Sequence, residues 1–569
     1  KQPQTGRSLW SNIRQIVIGK QRRTIPDTVD CDKLNTDFLI MNNYTNFNNN
    51  GSNAIIINNC NLSANNAIFQ FERLREEDVL EALLKTKSNA TGLDELEPRF
   101  IKLIFPYISR IITHIFNSII TSSCFPRCWK QTKIISIPKK SNGRQMDFRP
   151  IAITPFLSKI FEKAVVKQIS DYLSAENMLT THQSGFRPNI SCLTALTLVV
   201  DELRKEMEKN NLSFLALLDF SKAFDSVDHY FLTKKLRLLF NFSTQSCNLI
   251  LSYLRGRHQC VVANDWMSSF LPVCCGVPQD SILGPMLFIM YINELPSKVK
   301  HCLVHMYADD VQLIHSCKRS EVSEAARLVN EDLRCINDWA LSNKLCLNPL
   351  KSKALVIFKR DIDVSCFPAI CIGQSPIEYV KSARNLGIMF NSTLSWNTHI
   401  NFILGKLYGG LRTLCFTPRS TRCLLAKSCL LPTLLYGCEI FSNCDSASRQ
   451  KLKVVFNNEV RYVFRLKPRD HVSGFVRNFC GMPFNRLLDF RTLTLLNKVI
   501  LTSEPSYLHN RLQLSHSQRN MNIKPFKHQS LLSERKFFIY SVGLWNSLPA
   551  SIQKASSTNQ LAEYYQQEC

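Results

Sequence analysis

No run of 18 apolar residues occurs in this 569-residue chain, so a membrane-spanning helix is not expected. No secretory signal opens it, because Lys1 to Lys20 carry charges and no long apolar core. The 22 cysteines form no repeated C-x-x-C pairs and no Cys/His cluster at zinc-finger spacing. Cys124 and Cys128 are close, as are Cys274 and Cys275, but neither pair has a matching second pair. Reduced thiols in an intracellular protein are therefore expected. No internal repeat is evident. Acidic residues are few: 45 Asp+Glu against 70 Lys+Arg leave a formal charge of +25. That excess favours a polyanionic partner such as nucleic acid, although a merely basic soluble protein would carry it too. With 45% hydrophobic and 20% charged residues the chain is not disordered throughout. It opens on Lys, not Met, and reads as a fragment or as lacking its natural start.

Residues 1–70 read as a poorly ordered Asn-rich linker, since Asn dominates from Asn42 to Asn66 and competes with the backbone for hydrogen bonds. The sequons at Asn43 and Asn61 count as chance without a secretory signal. Order begins near Phe71. The string REEDVLEALLK places acids first and sets Val79, Leu83 and Leu84 on one helical face. The segment FIKLIFPYISRIITHIFNSII is expected as two helical pieces interrupted at Pro106.

Two acidic sites carry the chemistry. In SFLALLDFSKAFDSVDH, the apolar run Phe214 to Leu218 reads as a buried strand ending at Asp219. A carboxylate there is costly unless it is paired or bound to a metal. In LVHMYADDVQLI, apolar segments flank Tyr307-Ala308-Asp309-Asp310, which reads as a hairpin with adjacent acids at its tip. Three carboxylates from two strands suit two Mg²⁺ ions, which prefer oxygen ligands and share their octahedra with water and phosphate. Such ions, about 3.5–4 Å apart, activate an attacking 3′-hydroxyl and stabilise a leaving pyrophosphate. The bland alternative is an ordinary Asp-rich turn, and the dipeptide alone does not decide.

The surroundings do. SNATGLDELEPRFIK, FPRCWKQTKIISIPKK, FRPIAITPFLSKIFEKAV, HQSGFRPNISCLTAL, the Asp219 block, GVPQDSILGP, YADD, LSNKLCLNPLKSK, ARNLGIMF, LLPTLLYGCEIF and LWNSLPASI follow one another from Phe71 onward. This ordered set resembles the reverse transcriptases of non-long-terminal-repeat, LINE-type retrotransposons, of the jockey and CR1 groups. The resemblance implies an α+β right-hand polymerase with an antiparallel palm sheet and a helical thumb. Fingers and palm would span 71–390, the thumb or connection 391–500, and a small C-terminal subdomain 501–569. The implied activity is RNA-directed DNA polymerisation with two Mg²⁺ ions, dNTP, an RNA template and a DNA primer. Element RNA and target DNA would be the partners, with no membrane.

The resemblance further implies Asp219, Asp309 and Asp310 as the metal-binding catalytic triad. Phe224 would be the aromatic gate that repels a 2′-hydroxyl, although Phe is abundant and a core role is its ordinary reading. Tyr307 would lie near the primer terminus, or serve simply as a good strand residue. Lys139 and Arg149 would contact the triphosphate, with a solvated face as the alternative for Lys139. Gln279 would pack near nucleotide and template. Lys351 would protonate the leaving pyrophosphate or face phosphate structurally. The basic string with Arg461, Arg465, Lys467 and Arg469 would meet duplex phosphates or form a solvated face.

One departure matters. Where the family usually has a second glycine in Gly-Val-Pro-Gln-Gly-Ser, Asp280 stands here. Glycine there points to positive φ or a close backbone approach, and Asp adds a charge beside the triphosphate site. An impaired copy, a nucleic-acid-binding relic, is the resulting alternative to an active polymerase. The acidic triad opposes it. An intron maturase is disfavoured by the LWNSLP tail, and a viral RNA polymerase by Phe224 and the absence of Gly-Asp-Asp. The segment before Phe71 holds no second acidic cluster, so the upstream nuclease of complete elements is not expected within this sequence.

Overall fold

The computed structural model describes residues 30–40, 67–138, 148–263, 266–516, 521–526, 536–554 and 558–567. Helices α1 (Cys31–Ile40), α2 (Glu76–Lys85) and α3 (Pro98–Ser122) precede the first strands, β1 (Gln131–Pro138) and β2 (Phe148–Ile153). Helices α4 (Phe156–Ala175) and α5 (Cys192–Glu208) lead to β3 (Leu212–Leu218). Next come α6 (His229–Leu239), α7 (Thr244–Leu254) and strands β4 (Arg257–Ala263), β5 (Trp266–Met267) and β6 (Leu271–Val273). The central stretch is α8 (Gly284–Tyr291), β7 (Leu303–Tyr307), β8 (Asp310–Cys317), α9 (Val322–Ser342) and β9 (Lys353–Ile357). Short strands β10 (Glu378–Tyr379), β11 (Ser382–Asn385) and β12 (Ile388–Asn391) close it. The class is α+β, as expected.

Two sheets organise these elements. In one, β1 pairs antiparallel with β2 and parallel with β4, and β5 and β6 attach to β4. In the other, the strand order is β10-β9-β3-β8-β7. β3 is its middle strand and buried along nearly its whole length, which explains its unbroken apolar sequence. Successive side chains alternate faces. Phe214, Ala216 and Leu218 accordingly enter one core with α8, while Leu215 enters a second core below the sheet.

That second core is helical. It joins Phe390 and Trp396 to α10 (Asn397–Leu414), α11 (Ser446–Phe464) and the first half of α12 (Phe484–Thr502). The second half of α12 packs with α13 (Ser506–His509) and α14 (Phe537–Asn546) in a third core that also takes Leu198 from α5. Trp545 and Leu548 lie in it, and Tyr540 donates to Asp489 Oδ1 at 2.5 Å. No disulfide joins the described cysteines.

Three local expectations are corrected. The stretch read as linker contains α1, which packs Leu34 and Phe38 on Ile134, Phe148 and Val261. Its buried Asn35 donates to the Gln259 and Ser269 carbonyls and to Ser268 Oγ, and accepts from Gln259 Nε2 at 3.0 Å. An amide with every partner in place is stable inside. The Asn42–Asn66 tract itself lies outside the described residues. In α2, Val79 and Leu83 are buried but Leu84 is 70% exposed, because five residues on from Val79 the helix has turned off that face. Finally, α3 runs unbroken through Pro106. Pro106 and Lys102 lie on the exposed side, where water can take the carbonyl that proline leaves unpaired. By length and composition α3 could cross a membrane, with a third of its apolar window buried. Its inner residues Ile112, Phe116, Ile119 and Ile120 belong to the main core.

Candidate active site

Asp219 follows the last residue of β3 directly. The β3–β8 register pairs Leu218 with Val311, so one further step sets Asp219 opposite Asp310. β7 and β8 close on the Tyr307–Asp310 pair, leaving Ala308 and Asp309 as a two-residue turn. Ala308 has φ +56°, and only the first turn residue is positive, the pattern of a II′ hairpin. The turn thus brings Asp309 and Asp310 to the end of the strand that carries Asp219.

The three carboxylates crowd one another. Burial, then Asp309 and Asp219, push Asp310 up to about 6. Burial and Asp219 raise Asp309 as well, while Arg149 across from it acts in the opposite sense. Like charges held together in a half-buried place are costly unless a cation joins them. Among the described residues no three His, Cys, Asp or Glu side chains form a ready-made metal cage. The donor set instead fits Mg²⁺, whose shell is completed by water and substrate phosphate.

The backbone around Asp219 is fixed by the segment before β9. Asp219 N–H donates to Ser352 Oγ at 3.1 Å, and Asn348 N–H donates to the Asp219 carbonyl at 2.8 Å. Lys351, on the same segment, is exposed and shares a cavity of 340 Å³ with Asp219, Asp310, Lys353 and Arg384. The structure thus places Lys351 on the same cavity wall as two of the three carboxylates.

Phe224 lies in a short turn, Ala223–Ser226, and stacks on Phe288 of α8 with centroids 4.3 Å apart. The Gln279 amide nitrogen donates to both carboxylate oxygens of Asp225, at 2.8 and 2.7 Å. The two loops meet so closely that a Cβ on Gly276, at φ +83°, would come within 2.7 Å of the Asp225 carbonyl oxygen. Glu162 of α4 holds the far side of the Gln279 loop, accepting from Ile282 and Leu283 N–H at 2.8 and 3.1 Å. Asp280, between these anchors, has φ +65°, the conformation that favours glycine. It borders a groove of about 580 Å³ lined by Lys85, Lys87, Lys159 and Lys163. Arg149 is exposed on β2, and Lys139 lies outside the described residues. Burial and a contact with Cys192 raise the Tyr307 phenol well above its ordinary value. Arg461 is turned inward to Asn458 and the Asp470 carbonyl, whereas Arg465, Lys467 and Arg469 are exposed.

Sequence reasoning missed how the turn is held. Residues His182 to Gly185 lie alongside β7, with Met306 N–H donating to the His182 carbonyl and Ser184 N–H to the Met306 carbonyl, both at 2.8 Å. Gln183 Oε1 accepts from Ala308 N–H at 2.8 Å and from Gly185 N–H at 2.7 Å. A Cβ on Gly185 would collide with the Ala308 backbone. Next in the chain, Phe186 meets Phe224 edge to face at 6.1 Å, which joins the acidic turn to the Phe224–Gln279 cluster. The signal was present in HQSGFRP, but nothing local says what the glutamine touches.

Comparison with known proteins identifies what the chain is similar to. Residues 137–390 match the family model described as reverse transcriptase (RNA-dependent DNA polymerase). The chain is 26% identical over 401 residues to a probable RNA-directed DNA polymerase from transposon X-element of Drosophila melanogaster, covering 68% of this chain and 43% of that protein. It is 27% identical over 406 residues to the RNA-directed DNA polymerase from mobile element jockey of the same species, with 68% and 43% covered. A putative 115 kDa protein in type-1 retrotransposable element R1DM is 24% identical over 380 residues, with 64% and 36% covered. The chain spans less than half the length of these relatives. Over residues 137–390 it carries a reverse transcriptase domain of the kind found in non-long-terminal-repeat, LINE-type retrotransposons.

Proposed function

We propose that this chain is an RNA-directed DNA polymerase that extends a DNA primer on an RNA template. The observation that carries the reading is the register that sets Asp219 opposite Asp310, with Asp309 in the adjoining turn. The β3 sheet would be the palm, the β1–β2–β4 layer the fingers, and the helices from α10 onward the thumb and its C-terminal attachment. Bound Mg²⁺ would activate the primer 3′-hydroxyl and stabilise the departing pyrophosphate. Asp219, Asp309 and Asp310 would hold the metal, their mutual repulsion favouring cation uptake. Arg149 would pair with triphosphate oxygens. Lys351 would offer its ammonium to the pyrophosphate. Phe224, fixed by its stack on Phe288, would exclude a 2′-hydroxyl by contact. Element RNA and target DNA would be the natural nucleic acids, in nucleus and cytoplasm.

A second reading, a duplex-binding relic with impaired turnover, is favoured by Asp280 in its lysine-lined groove. Mg²⁺-dependent extension of oligo(dT) on poly(rA) separates the two. Extension by the natural chain that disappears when Asp309 and Asp310 are both changed to Ala supports polymerisation. Equal extension in both would refute the assigned residues, and duplex binding without extension would favour the relic.

A further inference from the structure

The residues after α12 reach back to the catalytic hairpin through α5. Three contacts are electrostatic: Asp201 Oδ1 accepts Phe537 N–H at 3.0 Å, Glu202 pairs with Arg511, and Glu208 pairs with Lys536. The fourth is a run of hydroxyls. Tyr507, on α13, places its Oη 2.8 Å from Ser184 Oγ and 3.3 Å from Thr194 Oγ1. Ser184 Oγ is also 3.0 Å from His305 Nε2.

The direction of this run follows from counting hydrogens, one for each hydroxyl. Thr194 spends its hydrogen on the Ser191 carbonyl at 2.8 Å, inside the cap of α5, and so accepts from Tyr507. Tyr507 has then spent its own and accepts from Ser184. Ser184 in turn accepts from His305, which must carry its hydrogen on Nε2. His305 is buried and stays neutral, held down to about 4 by that burial, so one such hydrogen is available. The His305 ring also meets the Tyr507 ring edge to face, at 5.3 Å and 82°. Every hydrogen in the run has one acceptor, and the phenol oxygen of Tyr507 is the member contributed by the residues after α12.

Two neighbouring members of the run, Ser184 and His305, bear on the catalytic turn. His305 is on β7, two residues before Tyr307. Ser184 belongs to the strand segment whose Gln183 fixes Ala308. Ring burial alone would not require the Tyr507 hydroxyl to sit between two others. We infer that Tyr507 is a positioning residue for the catalytic hairpin, through which the C-terminal subdomain fixes the His182–Gly185 segment and the Ala308–Asp309 turn. Its effect on rate rests on the polymerase reading above; the mechanical coupling does not.

The test is Tyr507→Phe in the full chain, which removes one oxygen and keeps the ring. Three quantities are read: hydrogen exchange of the Ala308 amide, the Mg²⁺ concentration for half-maximal primer extension, and the melting midpoint. Exchange at Ala308 is expected to quicken about tenfold, the scale of one lost hydrogen bond. The Mg²⁺ requirement should rise severalfold while the midpoint holds. Ser184→Ala should reproduce both effects, and the double variant should be no worse than either single one. Unchanged exchange at Ala308, exchange quickened throughout α12 and α14, or strict additivity would each overturn the inference. If the natural chain shows no extension, the polymerase reading fails by itself, and the exchange result still decides the coupling.

Discussion

Replacing Glu459 by Gln probes the electrostatics of the helical layer. Glu459 sits on α11 with no solvent exposure, and neither carboxylate oxygen has a hydrogen-bond partner among the described residues. Burial pushes it up to about 8 from an ordinary 4.5. The folded chain therefore keeps this proton to about pH 8, while the unfolded chain sheds it above about 4.5. In that window the unfolded state binds fewer protons, so stability falls as pH rises. At pH 7 the cost is about 3 kcal/mol, at 1.36 kcal/mol for each pH step above the unfolded value. Gln buries a neutral group of the same shape and escapes this cost. Denaturant melts of both proteins should lie closest near pH 4 and diverge steadily to pH 8, with E459Q the more stable. A gap that stays constant with pH, or a natural chain that is more stable at pH 7, would refute the reasoning.

Asp310→Asn should cut primer extension by about a thousandfold without lowering the melting midpoint, since it relieves repulsion from Asp219 and Asp309; steady-state extension with parallel melts would show either failure. Phe224→Val should weaken dNTP-over-NTP discrimination by ten- to a hundredfold, or about 1–3 kcal/mol, measured by competitive incorporation, and unchanged discrimination would exclude a gate. Asp280→Gly should relieve about 1 kcal/mol of positive-φ strain and raise dNTP incorporation on poly(rA)/oligo(dT). Equal, robust activity in both forms would remove Asp280 as an impairment.

The parts of the site that sequence could reveal are those written within a few residues. A buried strand ending in Asp219, and a hairpin with Asp309 and Asp310 at its tip, are patterns of burial and period that local windows contain. That the two acids stand opposite each other needs the strand register, which no window holds. Gln183 and Ala308 are 125 residues apart, and Tyr507 and Ser184 are 323 apart. Both are polar contacts with no periodic signature. Pro106 misled because its local rule assumes that no water reaches the carbonyl it frees, and Asn35 because its partner Gln259 on β4 lies 224 residues away. Asp280 was the instructive case: the glycine rule called for positive φ, and the aspartate adopts it.

The attachment of the last segment to α5 bears on how this gene can decay. Asp201 is buried and held by the Phe537 N–H, while Glu202 and Glu208 face Arg511 and Lys536. A stop codon between codons 441 and 507 would strip these acids of those C-terminal partners without touching a single codon of the acidic triad. Such a reading frame would still spell every motif of the ordered set except LWNSLPASI, yet its product would carry α5 without the groups that meet Asp201, Glu202 and Glu208 from the C-terminal side. Motifs intact through Phe441 are thus no measure of whether α5 keeps these partners.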